Sequence, residues 1–214
     1  MKLVSKNFES SKFSLIGFLC LCFSSAHGQT IQFQRTYGGV NDDYGRSIQQ
    51  TFDKGYIIAG ATSSFGSGAT DVYLIKTDSL GNTKWSNTFG GANVDWGYSV
   101  QQTTDSGYVI AGFTNSFGNG GYDVYLIKTD SIGDTLWTKI YGGSNWDFGY
   151  SVRQTTDGGY IIAGGTYSFG SGNGDTYLIK TNSSGDTLWT KTFGGSAEDE
   201  AKSVKQTSDD GYIL

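Results

Sequence analysis

Aspartate is the residue type best able to do chemistry in this sequence, and it returns at fixed intervals. Asp43, Asp95, Asp147 and Asp199 stand 52 residues apart, as do Asp53, Asp105, Asp157 and Asp209, and again Asp71, Asp123 and Asp175. Carboxylates can work in pairs as general acid and base, hold a divalent cation, or cap turns. A catalytic pair is needed once, whereas a cap is needed in every copy of a repeated unit. The periodic return therefore assigns these acids to structure, and no D-x-D-x-D-G loop gathers them for calcium. Lys76, Lys128 and Lys180 share one slot of the same period, which suits edge protection or pairing with Asp. Trp85, Trp137 and Trp189 recur as well and are expected to fill the space between neighbouring units.

Positions where the copies differ say more about function. The stretch after each Y/F-G-G reads VNDDYGR, ANVDWGY, SNWDFGY and SAEDEAK. Its aromatic slot holds Tyr44, Trp96, Phe148 and finally Glu200. Trp146 faces Asp42, Val94 and Glu198 in the other copies, and Tyr98 and Tyr150 replace Arg46 and Lys202. Read as rim loops, these residues offer flat rings beside Asp and Asn, a surface suited to sugars or to a protein partner. The plainer use of the same rings is to plug gaps between neighbouring units. Tyr44, Trp96, Tyr98, Trp146, Phe148 and Tyr150 are thus the candidate ligand-binding residues, with no catalytic residue, metal or cofactor assigned.

The N-terminus reads as a secretory signal over residues 1–28. Lys2, Lys6 and Lys12 precede the apolar run FSLIGFLCLCF, and Ala26 and Gly28 offer small residues for cleavage before Gln29. The run is too short for a membrane span. Cleavage would remove Cys20, Cys22 and His27, the only cysteines and histidine of the chain, with three of 15 basic and one of 20 acidic residues. The remaining 12 basic and 19 acidic residues make an acidic chain. That balance argues against nucleic acid or an anionic membrane as partner. Without His or Cys there is no Ser/His/Asp or Cys/His nucleophile and no zinc site of the usual kind. The expected location is secreted, extracellular or at the cell surface.

These residues must be positioned by a repeat. Y/F-G-G begins at Tyr37, Phe89, Tyr141 and Phe193, and residues 89–140 and 141–192 share 36 of 52 positions. Each unit reads as four short strands: S-I/V-x-Q-T, then GYIIAG, then DVYLIKT, then TLWTKTFG, joined by Asp/Asn/Ser/Gly turns. DVYLIKT and GYIIAG are apolar on both faces, unlike strands of a sheet with one wet face. Four-stranded units buried on both sides and repeated every 52 residues predict an all-β chain, a β-propeller of antiparallel blades, with a sandwich or linear solenoid as the alternative. The expected layout is a leading strand at 31–36, repeats at 37–88, 89–140 and 141–192, and a partial repeat at 193–214. That makes about three and a half blades, an incomplete set within residues 29–214 and the mark of a fragment of a longer chain.

The phrase TLWTKTFGG…D…SVKQTSDDGYI, with AGxTxSFGxG and DVYLIKTDSxGD, resembles the bacterial β-propeller repeat family of SBBP type. The D-x-x-G-D-T-L-W turn is also similar to pyrroloquinoline-quinone-type propeller repeats. The resemblance covers residues 31–214. It implies a propeller in a secreted protein and does not by itself imply an activity. The expected function is a binding or structural module for protein or glycan. The alternative is the propeller part of a hydrolase or quinone-type oxidoreductase whose active site lies elsewhere.

Overall fold

The structure is a computed structural model that describes residues 33–214; the expected signal peptide (1–28) and residues 31 and 32 of the expected leading strand lie outside them. The described residues form three four-stranded antiparallel sheets and one small two-stranded sheet, and no helix. The first sheet is β1 (Asp43–Gln50), β2 (Tyr56–Thr62), β3 (Asp71–Thr77) and β4 (Thr83–Phe89). The second is β5 (Asp95–Gln102), β6 (Tyr108–Thr114), β7 (Asp123–Thr129) and β8 (Thr135–Tyr141). The third is β9 (Asp147–Gln154), β10 (Tyr160–Thr166), β11 (Asp175–Thr181) and β12 (Thr187–Phe193). β13 (Lys205–Gln206) pairs with β14 (Tyr212–Ile213). Each large sheet is a meander in chain order. The architecture is propeller-like, repeats every 52 residues and, among the described residues, does not close.

Two-faced burial explains the uninterrupted apolar strands. Tyr108 and Ile110 of β6 join Ile57, Ala59 and Leu74 of the first sheet in one core cluster. Their neighbours Val109 and Ala111 turn the other way and join Val152, Tyr160 and Ile162 of the third sheet. Every residue of β6, β7, β10 and β11 is buried. Strand alternation thus serves two cores at once instead of one core and water.

The S-I/V-x-Q motif stitches one sheet to the next. Val100 and Val152 donate their backbone N–H to Ser47 Oγ and Ser99 Oγ of the preceding sheet, each at 3.2 Å. The amides of Gln102 and Gln154 reach Gln49 Oε1 and Gln101 Oε1 at 2.7 Å. In return Gln102 Oε1 accepts from Phe52 N at 2.8 Å and Gln154 Oε1 from Thr104 N at 2.9 Å. Backbone donors that have no strand beside them are satisfied in this way by side chains.

The tryptophans close each junction. Trp85 meets Tyr108, and Trp137 meets Tyr160, edge-on with centroids 5.8 Å apart. The next sheet's hairpin glycine lies on the same indole: Gly133 has φ +90, and a Cβ there would sit 2.8 Å from Trp85 Cζ3. Phe33 stands in the equivalent place, 5.7 Å from Tyr56. The expected leading strand is corrected in part, because Phe33–Thr36 carries no strand ladder. A fourth strand pairs with the third strand of its own sheet, as β4 does with β3, and no such strand lies beside Phe33–Thr36 among the described residues.

Candidate functional site

The repeated acids form three structural sets. Asp43, Asp95, Asp147 and Asp199 each accept the backbone N–H of a Y/F-G-G glycine four residues earlier, at 2.7–3.0 Å. Asp71, Asp123 and Asp175 each accept a loop amide, from Ser67, Asn119 and Ser171, at 2.8–3.0 Å. Asp53, Asp105 and Asp157 take the ammonium of buried Lys76, Lys128 and Lys180 at 2.8–2.9 Å. Each lysine also donates to the backbone oxygen of the next residue at 2.8 Å. Lys180 and the Thr155 hydroxyl hold Asp157 down at about 2. Burial, reinforced by the nearby Asp147, raises Asp123 instead. Among the described residues, no group of three or more His, Cys, Asp or Glu is arranged to hold a metal ion.

The six aromatic candidates come together. Tyr44 stacks on Trp96 with centroids 5.0 Å apart. Trp96 touches Tyr98 at 6.0 Å, and Tyr98 meets Tyr150 edge-on at 5.2 Å. Phe148 stacks on Tyr150 at 5.8 Å with an interplanar angle of 10°. Trp146 joins the group through Tyr122 at 5.7 Å. The result is a ladder of rings running across three sheets. Trp146 is 53% exposed and Tyr44 42% exposed, while the rings between them are half-buried.

The expectation that all six lie on rim loops is corrected. Only Trp146 does; Tyr44, Trp96, Tyr98, Phe148 and Tyr150 lie within β1, β5 and β9. These strands begin at the aspartate, four residues earlier than the S-I/V-x-Q-T motif marks, because a bulge carries the ladder past it. The register slips between Gly45 and Ser47 and between Gly97 and Ser99. A bulge leaves one extra residue per strand, here Arg46 and Tyr98, and turns it out of the ladder. Gly60, Gly112 and Gly164 make the close pairing possible, since a Cβ there would strike the carbonyl oxygen of Tyr44, Trp96 or Phe148 at 1.6–1.7 Å.

The residues after Gly45, Gly97, Gly149 and, in the last unit, Ala201 make a second row across successive units: Arg46, Tyr98, Tyr150, Lys202. Arg46 lies 4.8 Å over Trp96 and 5.7 Å from Tyr98, and Lys202 lies 3.5 Å over Tyr150. Cations thus flank the rings at both ends. Glu200 ties the far end, accepting from the Tyr150 hydroxyl at 2.9 Å and pairing with Lys202. Burial and then the bond to Glu200 push the Tyr150 phenol far above its ordinary value. Donation to Glu198, at 2.5 Å, raises Tyr167 to about 12. These phenols stay protonated at neutral pH, so they serve as donors and flat apolar faces, not as bases.

Phe113, Tyr122 and Tyr167 are further members that the motif reading missed. Phe113 contacts Trp96, Tyr98 and Phe148 at 5.4–6.3 Å, and Tyr122 lies 4.7 Å from Phe113. The signal was present as disagreement between copies outside the stretch after Y/F-G-G. Phe113 faces Ala61 and Gly165, Tyr122 faces Thr70 and Gly174, and Tyr167 faces Ser63 and Asn115.

No protein-family model matches the chain. The regulatory protein FlaEY of Caulobacter vibrioides is 29% identical over 122 residues, covering 50% of this chain and 13% of that protein. A solved structure of a protein of unknown function from Bacteroides caccae aligns at a TM-score of 0.43 with 14% identity, over 72% of this chain and 48% of that one. The chain therefore spans a small part of the curated relative and less than half of the solved one. No helix among the described residues is long and apolar enough to cross a membrane.

Proposed function

We propose that this is a secreted or cell-surface β-propeller repeat protein, related to the SBBP type, that acts as a binding module through its aromatic ladder. The observation that supports this reading is the ladder itself. The variable positions of three successive sheets converge on one continuous set of rings, open to water at Trp146 and Tyr44. Ring packing between sheets would be served equally well by buried apolar side chains. Exposed indole and phenol faces with amides nearby suit the flat apolar face and hydroxyl rim of a sugar. Asn145 has its side chain fixed on Tyr167 O at 3.0 Å, beside Trp146, and so is held in place before any ligand arrives. A carbohydrate is the preferred partner class.

The test is a titration of the chain with neutral oligosaccharides built from glucose, xylose, mannose or N-acetylglucosamine, followed by tryptophan fluorescence. One sugar class is expected to bind saturably. Trp146→Ala should weaken it about tenfold or more without lowering the melting temperature, because the ring is half in water. Binding that is unchanged in Trp146→Ala, or no response to any of the four classes, would overturn the reading.

A further inference from the structure

The junction between the first and second sheets joins two complete sheets, yet it is built with smaller parts than the junction that follows it. β8 ends in Thr138, Lys139, Ile140 and Tyr141; the equivalents in β4 are Ser86, Asn87, Thr88 and Phe89, each the smaller of its pair. At the second junction the Tyr141 hydroxyl donates to Gly185 O at 2.6 Å, and Lys139 Nζ meets Asp186 at 2.8 Å. At the first, Phe89 has no hydroxyl, and Asn87 Nδ2 donates to Gly133 O at 2.8 Å in its place. An amide has taken over the bond to the carbonyl, and nothing takes over the ion pair. The hairpin between β7 and β8 and the end of β4 border a cleft of about 530 Å³, walled by Phe65, Tyr73, Asn87, Phe89, Gly133 and Asp134.

Asp134 lacks a partner within its own hairpin as well. In the first sheet's hairpin Asn82 Nδ2 donates to Asp78 at 2.8 Å, and in the third Asn182 Nδ2 donates to Asp186 at 3.2 Å. The second hairpin has aspartate at both places, Asp130 and Asp134. Two carboxylates cannot supply each other with a donor, and together they concentrate negative potential at the cleft. Among the described residues Asp134 forms no ion pair.

We propose that this cleft binds a primary ammonium carried on an alkyl arm, the chemistry shared by a lysine side chain and a free aliphatic amine. The second junction shows the arrangement with the chain's own Lys139. Its stem runs along the hairpin glycine, where a Cβ on Gly185 would sit 2.8 Å from Lys139 Cγ, and its ammonium ends on the acid. At the first junction Asn87 reaches only as far as Gly133, and the acid beyond it is unmet. Phe65 and Tyr73, with ring centroids 5.6 Å apart, add aromatic surface to the wall, which favours an organic cation over a hydrated metal ion. β1 and β4 are opposite edges of the first sheet, so the cleft is separate from the ring ladder that begins on β1.

The test is a titration of the 15N-labelled full chain with n-butylamine hydrochloride, read by NMR at the Asn87 side-chain amide and the backbone amides of Gly133 and Asp134. Saturable shifts confined to the cleft are expected at about 1–10 mM amine, weakened by added salt. Asp134→Asn should weaken binding about tenfold, and the fold should accept it, since Asn82 holds the equivalent place. The double variant Asn87→Lys with Phe89→Tyr rebuilds the second junction and should abolish binding without lowering the melting temperature. A parallel titration with Nα-acetyl-lysine N-methylamide separates the two sources: tighter binding than n-butylamine assigns the site to a lysine on a polypeptide, equal or weaker binding to a free amine. Absence of shifts up to about 50 mM amine would overturn the proposal. So would the same shifts with 1-butanol or with calcium chloride, binding unchanged in Asp134→Asn, or binding that persists in a folded double variant.

Discussion

Lys180 has left water almost entirely, and its partner Asp157 has not: their side chains are 5% and 55% exposed. The carboxylate sits at about 2, below its ordinary 3.8, chiefly through the Lys180 ammonium. A depressed folded-state value means stability that is full above pH 4 and is lost as pH falls toward 2. Solvent screening on the aspartate side keeps the worth of the pair modest. Asp157→Asn is therefore expected to lower stability at pH 7 by about 1 kcal/mol, and the gap from wild type should close as the pH approaches 2. Parallel acid-melting curves for the two proteins would refute the assignment. The same three pairs show what a sequence can offer at this scale. A period of 52 places Lys76, Lys128 and Lys180 in one role and Asp53, Asp105 and Asp157 in another. That the two sets meet depends on the register between the second and third strands of each sheet, which only the fold displays.

A turn can be read from the residues that its copies accept, and two glycines separate backbone demand from packing demand. Gly158 has φ +80 with open space around it, and its equivalents are Lys54, Ser106 and Asp210, at φ 66, 68 and 61. Gly133 has φ +90 and the Trp85 indole against it, and its equivalents Gly81 and Gly185 are also glycine with an aromatic ring on them. Gly158→Ser should thus cost no more than about 1 kcal/mol, the left-handed penalty alone. Gly133→Ala should cost about 2–3 kcal/mol, since strain and displacement of a packed indole add. Equal melting temperatures for the two variants would show that the indole yields freely. The four strands of each full repeat were legible from turn chemistry and two-faced apolar runs, whereas the leading strand expected at 31–36 carries no ladder over residues 33–36. The starts of β1, β5 and β9 were not. A bulge at a glycine shifts the register without leaving a sequence mark distinct from any other Gly-x-Ser. The candidate rings were consequently expected on loops, and Phe113, on a strand taken as core, was passed over.

At the scale of the molecule, identical sequence patterns occupy unequal surroundings, and stability should follow the surroundings. β1 and β9 carry the same S-I/V-x-Q motif, yet Ile48 is 64% exposed and its equivalent Val152 is fully buried. Val152 N is bonded to Ser99 and Gln154 Oε1 to Thr104 N, both across a junction. Among the described residues, β1 takes part in junction bonds only toward β5, through Ser47 and Gln49. In a stack where each unit touches only its neighbours, the free energy of opening rises with the number of junctions a strand completes. Amide exchange should therefore be faster in β1 than in β5 or β9 and slowest in β6 and β10, with β9 far better protected than β1 despite their shared motif. Hydrogen exchange read by mass spectrometry on the full chain decides this. Equal protection of β1 and β9 would mean that the blades hold together by their own ladders, and the side-chain bonds between sheets would then be alignment devices rather than a source of stability. Faster exchange in β1, abolished when a unit of the same repeat type is fused upstream of it, would make the junction the cooperative element of the fold.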